Sequence, residues 1–303
     1  MPKLLILSSE IDEYTKLIQP ATLPDLEIVT DPAECEIVFG EPRLIRDVLP
    51  NLSNAKWVQS MFAGVEALMD PSFRNDYILT NARGVFGELM TEYVFGYMLA
   101  HEKKIFERKE AQQIKKYDRF ESGMLRGKTI GLLGVGSIGS HLAGMAKHFG
   151  MSVYGFTRSS ETSESVDTYY HGDQILKFAG GLDYLVCVLP RTKGTNQIVD
   201  ANLLNALPSH AVLLNVGRGN AVDESALEQA LKKGKIAGAI LDVTAKEPLP
   251  EDHPFWTTPN LLLTFHTSAI SYPEDITKLF IANYSLYIEG KPLKYQVDFD
   301  RGY

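Results

Sequence analysis

The segment TIGLLGVGSIGSHLAGMAKHFG, residues 129–150, constrains this chain more than any other. It places G-x-G-x-x-G (Gly134, Gly136, Gly139) directly after an apolar, strand-like run and at the opening of a helix-like stretch. In that setting the three glycines have separate tasks. Gly134 permits a tight turn, Gly136 lets the backbone approach a pyrophosphate, and Gly139 lets the helix pack closely on the strand. The free N–H groups of Ser137 and Ile138 and the positive end of the helix then face the phosphates. A turn of this kind requires a parallel α/β sheet around it.

The remaining pattern agrees. Early strand-like runs are Lys3–Ser8, Leu26–Thr30, Glu36–Gly40, Lys56–Ser60 and Tyr77–Asn81. A second set follows at 129–134, 152–157, 184–189, 211–216, 237–243 and 260–265, with helical segments such as ESALEQALKKG between them. Strands alternating with helices predict α/β architecture, with a doubly wound sheet in the second set. From Gly87 to about Lys115 there is no proline, and the apolar positions thin out toward the end, which predicts one long helix. The predicted helix after His266 returns to the first domain and makes that domain discontinuous: residues 1–98 and 268–303, against 99–267 for the dinucleotide-binding domain.

Composition excludes several classes. The net charge of −8 argues against a basic nucleic-acid footprint, though not against a local pocket for one phosphorylated ligand. Cys35 and Cys187 lie in or beside apolar runs and read as core filler in a reducing compartment, with no disulfide framework. The start, MPKLLILSSE, is too short in apolar residues for a signal peptide or a membrane span, so the expectation is a cytoplasmic protein with no membrane partner. His141 and His148 stand seven apart rather than four, and no Cys/His cluster occurs, so no metal is expected.

About 20 residues after the glycine turn an acid usually grips the ribose hydroxyls of a dinucleotide. Here the strand SVYGF runs into Thr157, Arg158, Ser159 and Ser160, and the first carboxylate is Glu161. Thr157 removes the repulsion a 2′-phosphate would meet. Arg158 can pair with that phosphate bidentately, and Ser159 can donate to it. The expectation is that NADP(H) is preferred, with NAD(H) possible.

Three residues follow later strands: Arg218 in LLNVGRGNAVDE, Glu247 in ILDVTAKEPLP and His266 in LLLTFHTSAIS. Ligands of such sheets bind at the carboxyl ends of strands. A guanidinium there can hold a carboxylate and polarise an adjacent carbonyl. A histidine can protonate the developing alkoxide, and a carboxylate on its far nitrogen favours the imidazolium. Taken singly, each also reads as structural: a turn arginine, a loop cap, a satisfied strand-end histidine. Their joint arrangement argues for chemistry. His253 is a competing acid, less favoured because it does not directly follow a strand.

With these segments together, the chain resembles the D-isomer-specific 2-hydroxyacid dehydrogenase family over essentially its whole length. The likeness rests on GVGSIG, VLPRTKGTNQIV, LLNVGRGNAVDE, AILDVTAKEPLP and LLLTFHTSA in the family's order, and on WVQSMFAGVEALM in the first domain. It implies two doubly wound parallel-sheet domains, a Rossmann cofactor domain and a smaller flavodoxin-like substrate domain, with the active site in the cleft and a homodimer built through the cofactor domain. It also implies residue roles. Arg218 would bind the substrate carboxylate and carbonyl, with His266 the acid/base and Glu247 its partner. Asp242 would bond the nicotinamide carboxamide. Leu189, Pro190 and Thr195 would border the adenosine half, and Val216 and Gly217 the nicotinamide side. Met61, Phe62, Ala63 and Gly64 would face a small 2-oxo or 2-hydroxy acid, with Trp256 a further candidate wall. Phe265 departs from the proline many members carry before the histidine. The replaced acid after the second strand resembles the NADP-using glyoxylate and hydroxypyruvate reductases. With the sequence ending at Tyr303, the expectation is that no appended regulatory domain follows. The rival expectations are an NAD(P)-sensing, corepressor-like binding protein with little turnover, and a methyltransferase using the same turn for another nucleotide.

Overall fold

Runs of three to five mostly apolar residues become parallel strands throughout the chain, with turns and helices returning the backbone between them. The computed structural model describes residues 1–19, 23 and 25–302. The chain divides into two units, Met1–Val85 with Ser271–Tyr303, and Phe86–Ile270.

The first unit carries β1 (Lys3–Leu7), α1 (Ile11–Ile18), β2 (Glu27–Val29), β3 (Ile37–Gly40), α2 (Pro42–Val48), β4 (Trp57–Ser60) and β5 (Ile78–Thr80). Its sheet has the order β2-β1-β3-β4-β5 with every pairing parallel. On one face Leu5, Val38, Val58 and Leu79 pack with Ile45 and Leu49.

The second unit opens with α3 (Gly87–Glu102) and α4 (Ile105–Gln113). The single helix expected here is broken, because Lys104 takes a left-handed φ of 55°. The domain boundary expected at residue 98 falls inside α3. That helix groups with the second unit because Val94, Phe95 and Met98 share a core with Leu142, Ala143 and Ala146.

The sheet elements are β6 (Thr129–Leu133), α5 (Ser137–His148), β7 (Ser152–Phe156), β8 (Thr168–Tyr170), α6 (Ile175–Ala179), β9 (Tyr184–Cys187), α7 (Ala201–Ala206), β10 (Val212–Asn215), α8 (Glu224–Lys232), β11 (Gly238–Leu241) and β12 (Leu261–Leu263). Their order is β12-β11-β10-β9-β6-β7-β8, again all parallel. Strand alternation feeds two cores. Leu133, Leu185, Leu213 and Leu241 face one, with Phe178, Leu203 and Leu227. Leu132, Val186, Leu214 and Ile240 face the other, with α3 and α5. Each fully buried leucine or valine contributes roughly 1.5–3 kcal/mol, which is why both faces need helices. The strand order reverses between β6 and β9, the position at which such sheets bind ligands. Strand β8 carries no apolar run to mark it in the sequence; it is three exposed to half-exposed residues at a sheet edge.

The last helix, α9 (Pro273–Ile288), belongs to the first unit, where Phe280 stacks on Phe39 and Trp57. Cys35 and Cys187 are free and buried, and burial pushes both thiols up to about 11. Among the described residues no helix is long and apolar enough to cross a membrane.

Candidate active site

One register row organises the second unit's carboxyl edge. Leu133 pairs with Phe156 on one side and Cys187 on the other; Cys187 pairs with Asn215, Asn215 with Leu241, and Leu241 with Leu263. The residues just beyond this row are Thr157, Gly134, Val188, Val216, Asp242 and Thr264. Sequence-distant candidates therefore emerge from one sheet edge because parallel pairing aligns the strand ends.

At the reversal point, Gly134 has φ +97°, a conformation costly for any side chain. A Cβ on Gly139 would lie 2.3 Å from the Gly134 carbonyl oxygen, so only glycine allows α5 to approach β6 this closely. Helix α5 starts at Ser137 with Gly136 before it and no side-chain cap, whereas Asp200 and Asp223 cap α7 and α8. The amides of Ser137 and Ile138 are thus left for an anionic ligand. The cradle fits a pyrophosphate.

His266 and Glu247 meet. Nδ1 of His266 lies 2.8 Å from Glu247 Oε2, and Glu247 Oε1 accepts from the Thr244 amide at 3.0 Å. An ionised carboxylate only accepts, so Nδ1 carries the proton. Nε2 makes no hydrogen bond among the described residues, and the side chain is 54% exposed. The imidazole is therefore oriented at one nitrogen and open at the other, as a proton donor requires.

The turn that holds it is built by Asp242, 2% exposed. Its Oδ1 accepts from Thr264 Oγ1 at 2.7 Å and the Thr267 amide at 2.8 Å, and its Oδ2 from the Ser268 amide at 3.0 Å. Its own carbonyl accepts from the His266 amide. Both Phe265 and His266 sit at left-handed φ, 58° and 59°, a conformation that the Asp242 contacts hold in place. Tyr93 of α3 bonds Thr264 Oγ1, and burial pushes its phenol well above the usual range.

Arg218 follows β10 on a turn shaped by a residue the sequence did not single out. Buried Asn215 donates from Nδ2 to the Arg218 carbonyl at 3.0 Å and accepts from the Gly217 amide at 3.2 Å. Only an amide side chain at the end of β10, three residues before Arg218, could have hinted at this. Arg218 Nη1 donates to the Gly217 carbonyl at 2.9 Å. Val216 and Gly217 are buried, and a Cβ on Gly217 would reach the Leu189 backbone within 2.7 Å, so these bordering segments do lie together. Thr195 ties its own loop, donating to the Pro190 carbonyl at 2.7 Å.

Trp256 is half exposed and lies against Phe265, ring centroids 5.5 Å apart, one residue from His266. His253 faces Glu224 at 3.4 Å and accepts from the Phe255 amide, a cap for a short helical turn. Among the described residues no cluster of three or more His, Cys, Asp or Glu is placed to hold a metal.

In the first unit, Met61 is fully buried, so its side chain faces the core. The amides of Met61 and Phe62 are already bonded, to the Gly40 carbonyl and to Ser60 Oγ. Those of Ala63 and Gly64 have no partner among the described residues, which leaves them as the donors of this turn.

Beyond β7, Thr157 is buried while Arg158, Ser159 and Ser160 are exposed. Thr157 Oγ1 donates to the Ser160 carbonyl at 2.6 Å and closes the turn.

Residues 95–268 match the model of the D-isomer specific 2-hydroxyacid dehydrogenase NAD binding domain. Glyoxylate/hydroxypyruvate reductase A of Yersinia enterocolitica is 30% identical over 281 residues, covering 90% of this chain and 89% of that protein. A D-isomer specific 2-hydroxyacid dehydrogenase family protein from Aeromonas salmonicida superposes with a TM-score of 0.93 at 39% identity over 99% of both chains. A D-isomer specific 2-hydroxyacid dehydrogenase from Xanthobacter autotrophicus, solved with NADPH and MES, superposes at 0.91 with 29% identity over the full length of both.

Proposed function

The chain belongs to the D-isomer-specific 2-hydroxyacid dehydrogenase family and is an NAD(P)-dependent enzyme of that class; from this premise we propose that it reduces small 2-oxo acids, glyoxylate and hydroxypyruvate foremost, to D-2-hydroxy acids, with NADPH preferred. The observation that carries the reading is the His266–Glu247 pair, open at Nε2 and rooted on the same strand-end row as the glycine turn. The name of the Yersinia relative supports the substrate class, and the NADPH in the Xanthobacter structure supports the cofactor.

When bound, the reduced nicotinamide supplies hydride to the substrate's carbonyl carbon. The protein's own part is to hold and protonate. Arg218 binds the carboxylate and draws charge onto the carbonyl oxygen. His266 Nε2 gives its proton to the oxygen as negative charge develops there. Glu247 accepts from Nδ1 and keeps the ring aimed. Asp242 keeps the His266 turn in place, and one remaining lone pair on its Oδ2 suits a carboxamide N–H. Within the first unit, the Ser60–Gly64 turn is assigned a share in substrate binding through the Ala63 and Gly64 amides beside the exposed Phe62; within the second, Trp256 against Phe265 is an apolar candidate one residue from His266. A homodimeric, cytoplasmic form is part of this reading, supported by the family resemblance and the two buried free thiols.

The test is kcat/KM for a panel of 2-oxo acids with NADPH and with NADH. NADPH is expected to be favoured, and Arg158→Ala to reduce that preference by about 10- to 150-fold, the span of one charge-assisted hydrogen bond. A preference for NADH in the unmodified enzyme rejects the cofactor assignment; no turnover with any 2-oxo acid rejects the substrate class.

A further inference from the structure

The loop from Thr157 to Ser163 contains one carboxylate, Glu161, and it is not loose. It bonds His171, the residue just past β8: His171 Nε2 lies 2.9 Å from Glu161 Oε1. The other ring nitrogen reaches the loop's start. Nδ1 lies 3.0 Å from the Thr157 carbonyl oxygen and 3.1 Å from Thr157 Oγ1. The Thr157 hydroxyl spends its proton on the Ser160 carbonyl, so it receives from the ring. Every partner of the imidazole is then an acceptor: a carbonyl, a committed hydroxyl and a carboxylate. Only the doubly protonated ring satisfies all of them.

Two residues earlier on the same face of β8, Tyr169 lies parallel to the His171 ring, with centroids 6.3 Å apart. Its hydroxyl accepts from the Ser163 amide at 2.9 Å. The strand edge thus grips both ends of the loop, and His171 engages its acid.

We propose that His171 is a positioning residue for cofactor choice: its imidazolium neutralises Glu161 and holds it at the β8 side of the loop, so that no free carboxylate confronts a 2′-phosphate at Thr157–Ser160. The inference rests on the NADPH reading above. A carboxylate free to move within this loop would do what the acid of NAD-specific folds does, accepting from ribose hydroxyls and repelling the phosphate. The Glu161 hydrogen bond, followed by the Thr157 carbonyl, raises the histidine above its ordinary value, in the direction the contacts require. Glu161 is the carboxylate bonded to the ring, and the Tyr169 ring lies beside it.

The experiment is a fluorescence titration of NADPH and NADH against the full chain and three variants, His171→Ala, Glu161→Gln and the double variant. His171→Ala is expected to weaken NADPH roughly tenfold, the effect of one uncompensated charge near the surface, while NADH stays within about twofold. Glu161→Gln in the same chain is expected to restore NADPH affinity, because the exposed charge is gone. If His171 only shapes the loop, both cofactors weaken together and Glu161→Gln does not rescue; that result overturns the inference. A wild-type protein that binds NADH as well as NADPH defeats the cofactor reading and this inference together. A wild-type preference for NADPH with no rescue defeats this inference alone.

Discussion

At the scale of single residues, His266 is the clearest case of a side chain whose surroundings define its task. Its Nδ1 proton is committed to Glu247, its Nε2 has no partner among the described residues, and its backbone is held at φ 59° by a turn that Asp242 assembles. Replacing His266 with Gln keeps a polar side chain of similar reach but removes the ring that can give and take back a proton. The chemical step is expected to slow by roughly 10²–10⁴-fold, with NADPH affinity little changed. Stopped-flow measurement of the first turnover reads this directly, and near-normal rates in a folded variant remove the acid/base assignment. The types of Arg218, Glu247 and His266 were visible in the sequence because each follows an apolar run. The supporting residues Asn215, Tyr93 and His171 were not. Each acts through a hydrogen bond to a backbone or side chain outside its own local pattern, and residue type alone does not announce such a partner.

Among elements, the β6–α5 turn carries the most constraint. Helix α5 approaches β6 so closely that a methyl group on Gly139 would meet a backbone oxygen rather than a yielding side chain. Gly139→Ala is therefore expected to push α5 outward. The cost is roughly 1–3 kcal/mol in stability, as for other overpacked sites, and NADPH binding falls more than tenfold because the Ser137 and Ile138 amides lose their aim. Calorimetry with and without cofactor separates the two effects, and an unaltered dissociation constant would falsify the cradle. Elements also show where sequence patterns stop. The 87–115 run reads as one helix because nothing in it breaks the periodicity. The chain breaks at Lys104, where α3 ends its packing on α5 and α4 has only Ala111 buried. Strand β8 lacks a continuous apolar run because it lies at a sheet edge and meets a core on few of its atoms.

For the whole molecule, the important fact is that each unit has its own sheet and core, yet the first is assembled from both ends of the chain. Phe280 of α9 is fully buried between Phe39 and Trp57, with centroid distances of 4.6 and 5.2 Å. Phe280→Ala is expected to cost roughly 3–5 kcal/mol, and the loss belongs to the first unit. The chain's two tryptophans fall one to each unit, Trp57 and Trp256. In a Trp256→Phe background, the unfolding midpoint reported by Trp57 fluorescence should drop, while NADPH titration of the folded protein still saturates. Equal loss of cofactor binding at low temperature would show that the units do not hold their structure separately.

The sequence by itself determined the α/β class, the glycine turn, the missing ribose acid and the family, because these depend on local periodicity and on residue types at short spacing. It also supplied the identities of the arginine, glutamate and histidine. Tertiary structure decided which of them meet. Parallel register puts Gly134, Thr157, Val216, Asp242 and Thr264 just beyond one row, and no local pattern encodes that alignment. It decided that Met61 turns inward and that Asp242 holds a turn. It also placed Glu161 against a histidine ten residues away. Hydrogen bonds between distant strands and loops are made in space, after packing has fixed the distances, so only the folded chain could reveal them.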